Sequence, residues 1–459
     1  MGAIASPQVA AARVLLALGA ALAALAAGAQ EAGSNVQEPI RLSDGSPLVC
    51  IYYFGHWWEP WKSDDEAILR DFARLKDLGF NTICVDHEWS QAIDGDWRLL
   101  DREHRLARQA GLQIIPWLSA KVWSDMSDAG RRALVKQWLG VDLLLGVDQD
   151  GEPSVVQPYD EATIVAGAGY AARYLDRYEK DGALLHVRWD GGVRPVIALT
   201  VELGWGAPSS FDEKTNAMFR AWVRQRYDGG IARLNEAWGT TYAGFDDIDP
   251  RDKAIFDYPG RIRHLQTGQA IDGHPQAVED HVEFRAETLS DCLTKMRARL
   301  AQTHPGTVEL TEIPYEPLCA HPDAISYRIA YGANISGTDY ADIVLIRSAD
   351  VPAEDSLAAL TERNRRTGQR FVMTYRISPA QGPGRTNITD AEALRLFADR
   401  TAEHAHAIGY YSWNEMVDVH AAAPGPGSPI NNVTVSDADS RRVQERMGMI
   451  NRRYRELVR

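Results

Sequence analysis

Short apolar runs rich in β-branched and aromatic residues recur eight times along this chain, and the segments between them carry apolar residues at three- and four-residue spacing. A short apolar run bounded by turn residues reads as a buried strand, and the second spacing as the inner stripe of a helix. The strands are predicted at Leu48–Phe54, Thr82–Asp86, Gln113–Leu118, Pro195–Val201, Thr307–Thr311, Asp342–Ile346, Arg370–Tyr375 and Ala407–Ser412. Eight strands alternating with helices predict a parallel sheet closed on itself, the α/β class (β/α)8 TIM barrel.

The first unit shows how the helices are delimited. Ser63-Asp-Asp-Glu66 reads as a capping box, and Ile68, Leu69, Phe72, Leu75 and Leu78 share one face of the helix it opens. Gly79 ends that helix before the second strand; likewise Asp101–Ala110 closes at Gly111 and Asp390–His406 runs up to the eighth strand. Two connections, roughly 75 residues after the third strand and roughly 105 after the fourth, exceed ordinary loops and must carry structure of their own. Helical patterns occur there at Glu161–Asp181, Asn216–Tyr227 and Glu279–Thr303, and the aromatic-rich Glu236–Tyr258 is expected to fold over the barrel mouth. Ser436–Arg459 reads as the closing helix.

Residues 1–29 stand apart. A weakly positive start, an apolar Leu/Ala run over Val14–Ala26 and the small residues Ala27-Gly-Ala29 form a signal peptide, the apolar run being short of the roughly 20 residues that span a bilayer. The expected organisation is a signal peptide over 1–29, a linker over 30–45 and one catalytic domain over 46–459, secreted or periplasmic and not held by a membrane after cleavage. A hydrophobic content of 45% suits a large core, and a formal charge of −14 without basic clusters argues against nucleic acid as a partner. The four cysteines fall in no metal-ligand spacing and read as buried free thiols, and the twelve histidines are scattered. No metal and no other cofactor is indicated.

The strand ends change this picture most. In Pro195-Val-Ile-Ala-Leu-Thr-Val-Glu-Leu-Gly-Trp-Gly206 an apolar strand delivers Glu202 to its C-terminal end beside Trp205, the place where barrel enzymes keep their chemistry. A two-face-buried strand has no structural use for an unpaired acid. Around it the other strand ends supply His56, Trp57 and Trp58, then Asp86 and Glu88, Trp117, Glu312 and Glu316, Tyr375 and Arg376, and Trp413, Asn414 and Glu415. Indole faces stack on the apolar faces of sugar rings while acids cleave the bond, so the collection points to a carbohydrate cleft. Glycoside hydrolysis needs two carboxyl groups. Glu202 is the candidate acid, since neighbouring indoles raise a carboxyl toward the working pH; Glu312 and Glu415 compete for the second role. The remaining residues are candidates for substrate binding.

Phe219-Arg-Ala-Trp-Val-Arg-Gln-Arg-Tyr227, Ile231-Ala-Arg-Leu-Asn-Glu-Ala-Trp-Gly239 and Phe245-Asp-Asp-Ile248 resemble the segment after the fourth strand in glycoside hydrolase family 42. The resemblance implies a β-galactosidase-type barrel with Glu202 in the position of the acid/base, although Val201 stands where that family carries Asn. The family's nucleophile ends the seventh strand, where this chain reads Phe371-Val-Met-Thr-Tyr-Arg-Ile377 and offers no acid. Tyr52-Tyr-Phe-Gly-His-Trp-Trp58 and the Gly191–Val201 strand entry are similar to endo-acting glycosidases of families 99 and 71. A hydrolase scaffold lacking the strand-seven acid would also suit a carbohydrate-binding pseudoenzyme.

Overall fold

The computed structural model describes residues 36–55, 62–92, 95–119, 129–156, 160–200, 211–269, 273–314, 338–348, 354–375, 391–414 and 437–459. Eight parallel strands close on themselves: β1 (Val49–Tyr52), β2 (Thr82–Asp86), β3 (Gln113–Ser119), β7 (Gly192–Thr200), β8 (Val308–Pro314), β9 (Ile343–Ser348), β10 (Arg370–Tyr375) and β11 (Ala407–Tyr410). Each pairs with the next, β3 pairs with β7 across the long insertion, and β11 returns to β1 with Cys50 opposite Gly409. All eight lie at the predicted places.

Alternation along these strands sorts their side chains. Cys50, Tyr52, Cys84, Ile115, Trp117, Val196, Ala198, Val308, Leu310, Ile343, Leu345, Val372 and Ala407 share one apolar cluster in the barrel lumen. Their sequence neighbours, such as Ile51, Ile83, Phe371, Met373 and Ile408, pack outward against the helices. The lumen is tight. A Cβ on Gly409 would lie 2.9 Å from Cys50 Sγ and 3.2 Å from Thr374 Oγ1, so this position has room only for glycine.

Helix α1 (Asp65–Asp77) buries Ala67, Ile68, Phe72 and Leu75. Its cap falls one residue later than the predicted box, at Asp64, whose carboxylate accepts the Glu66 amide. An extended Asp at this position satisfies one of the orphan amides of the first turn, worth about 1 kcal/mol. Helix α2 (Arg98–Ala110) begins nearly a turn earlier than expected and ends at Gly111 with φ 69°. In the first insertion, α3 (Ala129–Leu139), the β4–β5 hairpin (Leu145–Val147 and Pro153–Val156), α4 (Glu161–Tyr178) and β6 (His186–Trp189) follow one another, with β6 antiparallel to β7. Ile40, Leu42, Leu185 and Val187 join the lumen cluster from below, so the stretch around Ile40, read from sequence as linker, is built into the barrel base.

The second insertion holds α5 (Glu213–Arg226), α6 (Ile231–Trp238), α7 (Tyr258–Thr267) and α8 (Pro275–Leu300). Phe219, Leu234, Trp238, Phe245, Ile248, Phe256, Tyr258, Val278 and Phe284 form a core there that is separate from the barrel's clusters. The aromatic-rich segment is thus consumed in packing against its own helices. Helices α9 (Glu354–Thr367), α10 (Ala391–His404) and α11 (Asp437–Leu457) complete the outer layer. Among the described residues, no helix is long and apolar enough to cross a membrane.

Candidate active site

The lumen-facing phase of each strand decides which side chains reach the C-terminal mouth. On β2 the phase of Cys84 continues to Asp86, on β3 that of Ile115 to Trp117, and on β8 that of Val308 and Leu310 to Glu312. On β1 it reaches Tyr52 and Phe54, on β7 Thr200, on β10 Thr374, and after β11 Tyr411. Asp86, Trp117 and Glu312 are therefore brought together as the sequence predicted. Tyr52, Phe54, Thr200, Thr374 and Tyr411 are the partners that strand ends alone did not reveal.

The Tyr52 hydroxyl donates to Glu312 Oε2. Its ring stacks with Trp117 at 5.8 Å between centroids and lies 5.1 Å from Tyr411, which meets Phe54 edge-on at 5.6 Å. Below them, burial pushes the Cys84 thiol well above its ordinary value, reinforced by its hydrogen bond with Cys50 and by the negative fields of Glu312 and Asp86. Two carboxylates thus face one lumen over an aromatic floor. Among the buried side-chain atoms without a hydrogen-bond partner are Trp117 Nε1 and Thr374 Oγ1, both in this lumen. A buried donor left open here costs free energy unless a polar ligand meets it.

Four other predicted residues are placed elsewhere. Tyr375 is out of phase with Thr374, packs on Phe397 and bonds Thr401 through its hydroxyl, so it belongs to the outer helix layer. Trp413 is buried in the same outer cluster. Asn414 Oδ1 accepts the Phe54 amide at 2.7 Å and braces the end of the first strand against that of the last. Glu88 is fully buried beyond β2, its carbonyl accepting from the Tyr170 hydroxyl. Tyr375 and Trp413 thus end their strands as predicted, but their side chains turn outward to the helix layer. Glu202, Glu415, Trp205, Glu316, Arg376, His56, Trp57 and Trp58 lie outside the described residues.

Among the described residues, no group of three or more His, Cys, Asp or Glu side chains is placed to hold a metal ion. Cys50, Cys84 and Cys292 are buried free thiols, and Cys319 lies outside the described residues.

Residues 194–419, which carry the last five barrel strands, match the model of glycoside hydrolase family 42, described as beta-galactosidase. Among solved structures the backbone is similar to the beta-galactosidase of Rahnella sp. R3, with a TM-score of 0.56 and 14% identity over 92% of this chain and 58% of that one. It is also similar to the beta-galactosidase of Bacillus circulans sp. alkalophilus, with a TM-score of 0.52 and 15% identity over 88% of this chain and 55% of that one. The catalytic domain of the beta-amylase of Paenibacillus polymyxa gives 0.53 and 15% over 82% of this chain and 95% of that one. The chain spans less than three-fifths of those two beta-galactosidases. The chain is a (β/α)8 barrel that is similar to family 42 over residues 194–419.

Proposed function

We propose that this protein is an exported glycoside hydrolase, β-galactosidase-like, that cleaves O-glycosidic bonds of an oligo- or polysaccharide at the C-terminal mouth of its barrel. The observation that carries this reading is the lumen itself, where Glu312 and Asp86 stand over stacked Tyr52 and Trp117 beside unsatisfied polar atoms. Aromatic faces take the apolar side of a pyranose ring, and open donors take its hydroxyls. In this mechanism Glu202 protonates the departing glycosidic oxygen and Glu312 supplies the second carboxylate, held in orientation by Tyr52. Glu415 remains the competitor for that second role. Asp86 binds sugar hydroxyls, and no metal or other cofactor takes part. The leader over residues 1–29 carries the protein to the periplasm or the medium, and the barrel with its insertions, together with the stretch around Ile40 at its base, acts as one catalytic domain.

The mature protein is expected to hydrolyse aryl or natural β-galactosides, and Glu202→Gln, which keeps the shape and removes the proton, to lower the rate by roughly 10²–10⁴-fold with an unchanged circular dichroism spectrum. Survival of activity within about tenfold would remove Glu202 from the role of acid. The anomer first released, read by NMR, then separates retention from inversion. One observation favours a second reading: the described part of β10 offers Thr374 and no carboxylate to the lumen. If no glycoside is turned over but oligosaccharides bind, the protein is a carbohydrate-binding relative of the enzymes.

A further inference from the structure

Beyond the lumen, a chain of buried polar groups begins directly after Asp86. His87 Nδ1 lies 2.6 Å from the Tyr174 hydroxyl and Nε2 2.6 Å from Glu103 Oε2. The same hydroxyl lies 2.6 Å from His104 Nε2, and His104 Nδ1 lies 2.7 Å from Asp181 Oδ2. His87, Glu103, His104 and Tyr174 are buried, and Asp181 is the member most open to solvent, at 16% of its side chain. The residue directly after β2, helices α2 and α4, and the turn after α4 each contribute.

Heavy atoms at these separations need one hydrogen between each pair, so four contacts require four protons. Two neutral imidazoles and a phenol supply three. Asp181 does not supply the fourth: burial alone would raise its carboxyl, but the hydrogen bond and charge of His104 and the amides of Ala183 and Leu184 outweigh it and hold it below the ordinary value. Nor does Tyr174 act as a phenolate, because burial pushes its hydroxyl well above the ordinary phenol range. One further proton must reside on Glu103, His87 or His104.

The Tyr178 ring, stacked on His104 at 3.8 Å between centroids, suits such a charge, whereas Arg108 Nη1, 3.6 Å from Asp181, opposes it and helps keep that carboxylate ionised. The Tyr178 hydroxyl donates to Asp101, which also pairs with Arg177. Tyr170 donates to the carbonyls of His87 and Glu88, and the charges of Glu88, Glu103 and Asp71 also act on the tyrosines of this region. We propose that Glu103, His87, Tyr174, His104 and Asp181 form a relay holding one proton more than its neutral side chains carry, and that this relay positions Asp86 for sugar binding. Tyr174 is its central positioning residue. Without the extra proton, one of the four contacts would set two lone pairs against each other, and the residue after Asp86 would be held less firmly against the helices.

The positioning half rests on the reading of Asp86 under Proposed function, whereas the proton count does not. Imidazole 15N and Glu103 side-chain 13C NMR of the full-length wild type at pH 7.5 should show the additional proton on His87, His104 or Glu103. Tyr174→Phe splits the relay into two separate His–carboxylate pairs, each satisfied by one proton; both imidazoles should then be neutral and both acids ionised. The KM for an aryl glycoside should rise about fivefold, as expected for one hydrogen bond's worth of ordering, with kcat changed less. Should this variant fail to fold, Glu103→Gln, whose amide brings a hydrogen of its own, should also lack the extra proton. Two neutral imidazoles and an ionised Glu103 in the wild type would overturn the relay. A lost NMR signature with an unchanged KM would overturn the positioning role. If the wild type hydrolyses no glycoside at all, the enzymatic reading falls while the spectra still decide the relay.

Discussion

Glu309 and Glu312 lie three residues apart on β8 and experience opposite surroundings. Glu312 is in phase with Leu310 and faces the lumen, whereas Glu309 points outward, where it is fully buried and its Oε1 accepts the Leu199 amide at 2.5 Å. Burial drives the Glu309 carboxyl well above its ordinary 4.5; Asp342 adds to this, and the Leu199 amide and Arg297 oppose it without prevailing. An acid whose folded value is raised binds its proton more tightly in the native state, so stability is lost as pH rises from about 4.5 through the native value. Glu309→Gln keeps the acceptor for Leu199 and removes the titration. Urea midpoints should therefore diverge in favour of the variant as pH rises from about 4.5 to 8; parallel curves would show that Glu309 is not protonated in the fold. Strand phase also explains what was legible in the sequence at this scale. Strand ends alone picked out Asp86, Trp117 and Glu312 but also Tyr375 and Trp413, which turn outward. The two-residue period, counted from Leu310, Val372 or Cys50, separates the groups and would have found Tyr52 and Thr374, whose side chains carry no charge to announce them.

At the level of elements, the strands were legible because each is an apolar run buried on both faces, bounded by glycine or polar residues. The β4–β5 hairpin and β6 were not, because short strands at the barrel's periphery lack such runs. Helix α10 ends at His404, before the predicted end at His406, because His406 is used as a joint leading into β11. Its Nδ1 accepts the Phe371 amide at 3.0 Å, its own amide donates to Phe371, and its carbonyl accepts from Ile40. Burial, aided by the Arg370 charge, lowers its pKa from 6.5 to about 4. The native joint thus stays neutral while an unfolded imidazole charges, so its contribution is fully present above about 6.5 and is lost as pH falls toward 4. His281, also lowered by burial, adds in the same direction. These histidines draw stability down between pH 6.5 and 4.5 while Glu309 acts the other way, so His406→Gln, compared with the wild type, should gain relative stability as pH falls across that window, by up to about 3 kcal/mol as set by the size of the His406 shift. An unchanged pH slope in the variant would assign the acid sensitivity elsewhere.

For the whole molecule, the closed barrel and its long insertions after the third and fourth strands were predictable from the order and spacing of elements. The role of the second insertion was not. The segment Glu236–Tyr258 was expected to fold over the mouth; what the structure shows is that Trp238, Phe245 and Phe256 join Phe219 in a core of the insertion's own, because a segment of four helices must bury apolar surface. The aromatic side chains shown at the mouth come instead from the strands, as Tyr52, Phe54, Trp117 and Tyr411. This architecture sets Glu312 and Asp86 in one lumen, where the proposed mechanism calls for its second carboxylate. The rate of glycoside hydrolysis by Glu312→Gln, measured beside the wild type with both shown to be folded, tests that assignment most directly. A loss of at least about 100-fold is expected, as for removal of a group that acts on the reacting centre; a rate within about tenfold of the wild type would contradict it.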